Sequence, residues 1–232
     1  TTDRVFLDDV IAQRILKAVP GSYGVLTYLV NGLSSAKGRV PYSMVTALPE
    51  EDQGSRFKVQ ASDSSTIINQ WLADDLQVAV GDTIDIRYFT VGLGRDLKEQ
   101  TATFTVRGVL PMTDPAVGPS WAPDFPGVTD AKNCRDWQPG IPMKLDTIRD
   151  KDEDYWKQYK TTPKAFISLA AGQKLWSNRF GSLTAIRFPD SGQDVNKVRE
   201  QLVSNLRLAG IGLVPRDFRA EATAAAKGSV DF

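Results

Sequence analysis

The sequence contains no histidine. Histidine is the commonest general base and metal ligand, and it is the side chain that usually titrates near neutral pH. A Ser-His-Asp or Cys-His catalytic arrangement therefore cannot be built from this chain. The single cysteine, Cys134, cannot form an internal disulfide or a Cys-x-x-Cys metal motif. One cysteine is compatible with a cytosolic protein and equally with an extracytoplasmic domain.

The chain also lacks a charge excess and a long apolar run. It has 28 lysines and arginines against 28 aspartates and glutamates. Because nucleic-acid affinity comes mainly from neutralising phosphates, we expect no nucleic-acid partner. No apolar run reaches the roughly 18 residues of a membrane span. The start does not resemble a signal peptide. Because the sequence begins and stops abruptly, we expect an excised piece of a larger protein.

The composition is that of a globular protein, with 41% hydrophobic and 24% charged residues among 232. Helical and alternating apolar patterns are mixed, and turn signals indicate hairpins. This mixture predicts an α+β fold with antiparallel or mixed sheets. The predicted helices are 8–18, 62–76, 146–160, 170–178 and 194–208. The predicted strands are 22–30, 39–48, 83–91, 100–110, 164–169, 182–188 and 211–214.

A long loop is predicted over residues 111–144, which hold more than half of the chain's 13 prolines. Two tryptophans lie in it, so we expect an ordered loop and not a flexible linker. Five aromatic side chains of this region are candidates for a surface that contacts a partner, although a small core that pins the loop against the charged helix is the better interpretation. They are Trp121, Phe125, Trp137, Tyr155 and Trp156.

Acidic residues in two segments are candidates for catalysis or metal binding. Asp124, Asp130 and Asp136 lie in the long loop, where aspartate commonly makes turns, and an alternative function is a carboxylate-dependent or metal-dependent hydrolase. The run 150–154 resembles the start of an EF-hand loop. Tyr155 and Thr161 occupy the positions where that loop needs glycine and glutamate, so a solvated helix face is the better interpretation. No cofactor and no metal are expected.

Several segments in order resemble one family. They are Ile68-Asn69-Gln70-Trp71-Leu72-Ala73-Asp74-Asp75-Leu76 with Val80-Gly81-Asp82, Phe104-Thr105-Val106-Arg107-Gly108-Val109, 124–130, 152–156, 162–167, 179–181 and 228–232. In their order and spacing they resemble the extracytoplasmic, MacB-like periplasmic core domain of FtsX-like ABC transporter permeases. The likeness covers most of residues 22–232.

The resemblance implies a porter-like subdomain formed by 1–49 and 182–220, with a mostly antiparallel, sabre-like subdomain of 50–181 inserted in it. Residues 221–232 would lead to a membrane helix. It implies a non-catalytic domain on the periplasmic side of the inner membrane that couples ATP-driven motion to substrate or partner handling. The implied partners are a cytoplasmic ABC ATPase, a second permease copy or an extracytoplasmic protein. The alternative from the residues is a free-standing extracytoplasmic binding module that uses the tryptophan-rich loop.

Overall fold

The computed structural model describes residues 4–49, 64–92, 96–188 and 195–205. These residues form an α+β fold, as the sequence predicts. The helices are α1 (Asp9–Ala18), α2 (Gln70–Leu76), α3 (Asp150–Tyr159), α4 (Leu169–Trp176) and α5 (Val195–Asn205). The strands are β1 (Tyr23–Ser34), β2 (Arg39–Leu48), β3 (Ser65–Asn69), β4 (Thr83–Val91), β5 (Leu97–Leu110), β6 (Ala165–Ser168) and β7 (Ala185–Arg187).

Six strands close into a barrel in the order β1-β2-β6-β3-β5-β4, with β4 returning to β1. The β2–β6 and β3–β5 pairs are parallel and the other four pairs are antiparallel. β7 pairs with the start of β1, outside the ring. Closure gives each of the six strands two neighbours, so the mixed sheet leaves no strand of the ring unpaired on one side.

The predicted cap of the first helix and the predicted hairpins are confirmed. Asp8 caps α1 by accepting hydrogen bonds from the backbone N–H groups of Val10 and Ile11. β1 and β2 form the predicted hairpin, and so do β4 and β5. The region between 111 and 149 has no strand or α-helix and contains three short 3-10 helices. The predicted strand at 211–214 lies outside the described residues.

The helix predicted over residues 62–76 is wrong in the first part of its range. Residues 65–69 were expected to begin a helix, and they form β3, so α2 begins only at Gln70. The run Thr66-Ile67-Ile68 is β-branched and buried between β5 and β6, which suits a strand that is covered on both faces. Asn69 ends the strand and caps α2 by accepting a hydrogen bond from the N–H of Leu72 at 2.9 Å.

The core divides according to the two faces of the strands. One cluster draws buried side chains from all six barrel strands and from α2 and α4. Side chains alternate along a strand, so the opposite face of β1 and β2 presents Leu29 and Met44 to a second group of buried residues. That group comes from the long loop and α3, which therefore cover the barrel on this side.

The barrel takes strands from both sides of the border predicted at residues 49 and 50. β1 and β2 precede the border, and β3, β4, β5 and β6 follow it. Hydrogen bonds cross it through the β1–β4 and β2–β6 pairs. The segments on the two sides of the border thus share one barrel wall.

Gly172 allows α4 to approach β2 closely. A Cβ at this position would lie 2.3 Å from the Cβ of Ala47.

We expect Gly172→Ala to lower the free energy of unfolding by about 1–3 kcal/mol, because overpacking outweighs the better helix propensity of alanine. Gly118→Ala is the matched control, since a Cβ there would meet nothing within 4 Å. Urea unfolding measures both. In an Ala47→Gly background Gly172→Ala should cost less, because the clash between the two Cβ atoms is removed. Equal stability of Gly172→Ala and the control would contradict this packing.

Candidate functional site

The five aromatic candidates lie beneath the long loop and α3. Trp121, Trp137, Tyr155 and Trp156 are 8%, 6%, 5% and 2% exposed, and Phe125 is half-buried. Trp137 and Trp156 meet edge to face, with ring centroids 5.0 Å apart. In this structure four of the five side chains are covered by the protein itself and do not face a partner.

Hydrogen bonds fix the polar atoms of three of these rings. The indole N–H of Trp121 donates to the carbonyl of Ala116 at 2.8 Å, and that of Trp156 donates to the carbonyl of Lys132 at 3.1 Å. Tyr155 accepts from the Asn69 amide at 2.9 Å and donates to the carbonyl of Thr162 at 3.0 Å. Buried aromatic groups with satisfied polar atoms hold the loop to the barrel.

The three loop aspartates do not converge on one another. All three are exposed. Asp124 accepts from the hydroxyl of Thr129, and Asp136 accepts from the amide of Asn133 at 2.8 Å, both within turns. Within the described segments, no three cysteine, aspartate or glutamate side chains come close enough to hold a metal ion.

The solvated-face interpretation of residues 150–154 is wrong for two of the five. Asp152 and Glu153 are 5% and 6% exposed. Glu153 accepts the backbone N–H groups of Cys134 at 3.2 Å and Arg135 at 2.9 Å, so it fixes the long loop. No local sequence pattern indicates this contact, because the loop packs over α3 only in the tertiary structure.

Ion pairs join α2 to α3. Arg149 contacts Asp75 and Asp152, each at 2.6 Å, and Lys151 also pairs with Asp75. The Asp75 side chain is 5% exposed and that of Arg149 is 31% exposed, so the pairs are only partly screened by water. This network fixes the position of α3 beside the barrel.

Lys164 is a buried cation that the sequence reasoning missed. It precedes β6 and is 4% exposed. Its ammonium lies 4.1 Å from the ring centre of Trp71 and 4.4 Å from that of Tyr155. Burial lowers the pKa of Lys164 to about 7, with Asp152 acting in the opposite direction and Arg149 lowering it further. In the sequence, the only sign of this burial is that Lys164 directly precedes an apolar strand.

A small cavity adjoins Lys164. It has a volume of about 20 Å³ and is also lined by Ser43, Cys134 and Trp137. Among the described residues, the Ser43 hydroxyl and the Trp137 indole N–H have no hydrogen-bond partner. The space holds about one water molecule, so it admits no organic substrate to the amine. Burial raises the pKa of the Cys134 thiol to about 12, which keeps it protonated.

The first and last described elements lie together. α1 contacts α5 and β7, Leu7 forms a β-bridge with Leu183, and both the N–H and the hydroxyl of Ser182 donate to Asp9. We call this region the terminal face: α1, α5, β7 and residues 178–188. Large apolar side chains are exposed on it at Val10 (55%), Phe180 (45%), Phe188 (38%) and Val203 (66%).

No protein-family model matches this chain, and no curated protein matches it. None of the helices in the described segments is both long and apolar enough to cross a lipid bilayer.

A test of the aromatic cluster separates a core role from a surface role. We expect Trp156→Ala to lower the free energy of unfolding by about 3–5 kcal/mol, because it empties a packed site between the loop and the barrel. Phe180→Ala is the control, since that ring is 45% exposed, and it should change stability little. Denaturant unfolding followed by circular dichroism measures both. Equal stability of the two variants would contradict a core role for Trp156.

The buried lysine should make stability depend on pH. Its pKa is lower in the folded protein (about 7) than its ordinary 10.5. The unfolded chain then binds the proton more tightly, so stability should rise with pH between about 7 and 10 by at most about 1.4 kcal/mol per pH unit. Lys164→Met removes this contribution while Cys134 and the tyrosines remain. Denaturant unfolding of both proteins across this range should show that the free energy of unfolding of Lys164→Met, minus that of the wild type, falls as pH rises. Parallel profiles would contradict titration of Lys164 in the folded core.

Proposed function

We propose that this chain is the extracytoplasmic domain of an FtsX-like ABC transporter permease, on the periplasmic side of the inner membrane. It performs no chemistry and couples ATP-driven motion in the cytoplasm to the handling of a substrate or partner outside. The observation that carries the proposal is the terminal face, where α1 and α5 are in contact. A domain inserted between two membrane helices must begin and end on the same side.

The composition of the terminal face supports the same proposal. Four of the six large apolar side chains that are exposed in the described residues belong to it. Clustered exposed apolar groups are typical of surfaces that meet a protein or a membrane. In the parent protein these side chains would rest against the membrane helices, a second permease copy or an extracytoplasmic partner.

The barrel supplies a route for mechanical coupling. In this proposal residues 1–49 and 182–220 are the porter-like part and 50–181 the sabre-like part. Because the β1–β4 and β2–β6 pairs join these parts within one wall, a displacement of α1 and α5 is transmitted through strand hydrogen bonds and not across a loose hinge. The absence of histidine from the chain and the closed surroundings of Lys164 support a non-catalytic role.

Cysteine labelling in the native cell tests the location. Val80 is 62% exposed, whereas Cys134 is 4% exposed. In the full-length protein, with any further cysteines replaced by serine, Val80→Cys should react with a membrane-impermeant maleimide in intact spheroplasts. The protein that retains only Cys134 is the matched control and should stay unlabelled until denatured.

Labelling of Val80→Cys only after lysis would overturn the extracytoplasmic location. A reading frame without a hydrophobic helix on each side of this domain would overturn the permease assignment. A neighbouring or fused ABC ATPase that co-purifies with the full-length protein is the expected partner.

A further inference from the structure

A second, larger concavity lies where the barrel closes. Its volume is about 560 Å³, and its floor is formed by β1, β2, β4 and β5, with residues 142–149 on one side. This volume is within the range typical of small-molecule sites, about 300–1,000 Å³. We call it the seam groove.

The strand ladder is interrupted on the floor of the seam groove. In the β1–β2 hairpin, Val30 pairs with Ser43 and Gly32 pairs with Pro41, but the intervening Asn31 and Tyr42 are not paired. Tyr42 has a positive φ of 31°, which is unusual for a residue with a side chain. Backbone strain of this kind persists where the surroundings impose it, and it concentrates at binding sites.

Two buried polar atoms on this floor have no partner among the described residues. Asn31 is 7% exposed, and its amide N–H donates to Glu99 at 2.7 Å, while its Oδ1 atom accepts nothing. The Nε atom of Arg87 on the neighbouring strand donates to nothing. An unsatisfied acceptor and an unsatisfied donor in one groove are costly unless a bound molecule completes both.

The seam groove is also positively charged. Arg39, Arg87 and Lys144 line it and form no ion pair within the described part of the chain, whereas Arg149 is engaged by Asp75 and Asp152. Glu99 is the one carboxylate among the lining residues, and it already accepts from Asn31. The three cations without an ion pair outnumber this one carboxylate, so the seam groove keeps a net positive charge that favours an anionic ligand.

We propose that the seam groove binds a small polyhydroxylated anion, of the class of sugar phosphates and sugar acids. Arg87, with Arg39 and Lys144, pairs with the phosphate or carboxylate. The Oδ1 atom of Asn31 accepts from a ligand hydroxyl, and the rings of Tyr42 and Phe89 pack against the carbon face of the ligand. This site is independent of the transporter proposal, because it rests on the seam groove and not on the terminal face.

Calorimetric titration of the full 232-residue chain with four probes tests the ligand class. Glucose 6-phosphate and glucuronate supply a charge and hydroxyls, glucose only hydroxyls, and inorganic phosphate only charge. We expect at least one of the two charged sugars to bind at least tenfold more tightly than glucose and inorganic phosphate. The affinity should fall as salt is added, because the cations are at least partly exposed.

Variants locate the site. Arg87→Gln should weaken binding at least tenfold and Asn31→Ala about fivefold, with the circular dichroism spectrum unchanged. Arg107→Gln is the control: this exposed arginine is on β5, eight residues from Glu99 or about 26 Å along an extended strand, and its loss should leave the affinity unchanged. If Asn31→Ala fails to fold, Arg87→Gln decides alone.

Three results would overturn the proposal. One is the absence of binding by both charged sugars at millimolar concentration. Another is undiminished binding by folded Arg87→Gln. The third is binding of inorganic phosphate as tight as that of the more tightly bound of the two charged sugars, which would remove the role of the Asn31 acceptor.

Discussion

Closure of the barrel at the β1–β4 seam is the constraint on which the other features depend. Only three residue pairs make this seam, with Gly32, Leu33 and Ser34 of β1 opposite Arg87, Ile86 and Asp85 of β4. Space for a side chain at Gly32 is tight, since a Cβ would lie 3.0 Å from the Arg87 guanidinium and 3.2 Å from the carbonyl oxygen of Val40. With a larger residue at this position, these neighbours would have to shift by a few tenths of an ångström.

β1 connects the terminal face and the seam groove because it has different neighbours along its length. Its start pairs with β7, its end pairs with β4, and β2 pairs with it for most of its length. The terminal face is built on the start of this strand and the seam groove on its end. The terminal face and the seam groove are thus built on one continuous strand.

The opposite face of the barrel shows how a region without regular structure becomes fixed. Trp137 of the long loop and Trp156 of α3 pack with Leu29 of β1 and Met44 of β2, and Glu153 of α3 holds the loop backbone. Asp75 and Arg149 hold α3 in turn. Lys164 is therefore buried, its charge partly compensated by two aromatic rings and by Asp152. This arrangement stabilises the protein and leaves space only for about one water molecule.

Much of the local structure could be predicted from the sequence. The cap at Asp8, the hairpins and the α+β class follow from turn residues, caps and apolar periodicity, which act between residues near one another in the chain. For the aromatic residues the sequence favoured a core role and kept a partner surface as the alternative, and four of the five side chains are buried. It gave no account of the seam groove or of Lys164.

What the sequence by itself determined was therefore the content of secondary structure, the order of most elements and the absence of histidine chemistry. Tertiary structure alone decided that 65–69 is a strand, because its pairing partners in β5 and β6 lie far along the chain. It also decided that Asp152, Glu153 and Lys164 are buried and that Asn31, Tyr42 and Arg87 share one groove. Burial, pKa and groove shape arise from contacts between distant segments, and no local pattern encodes those contacts.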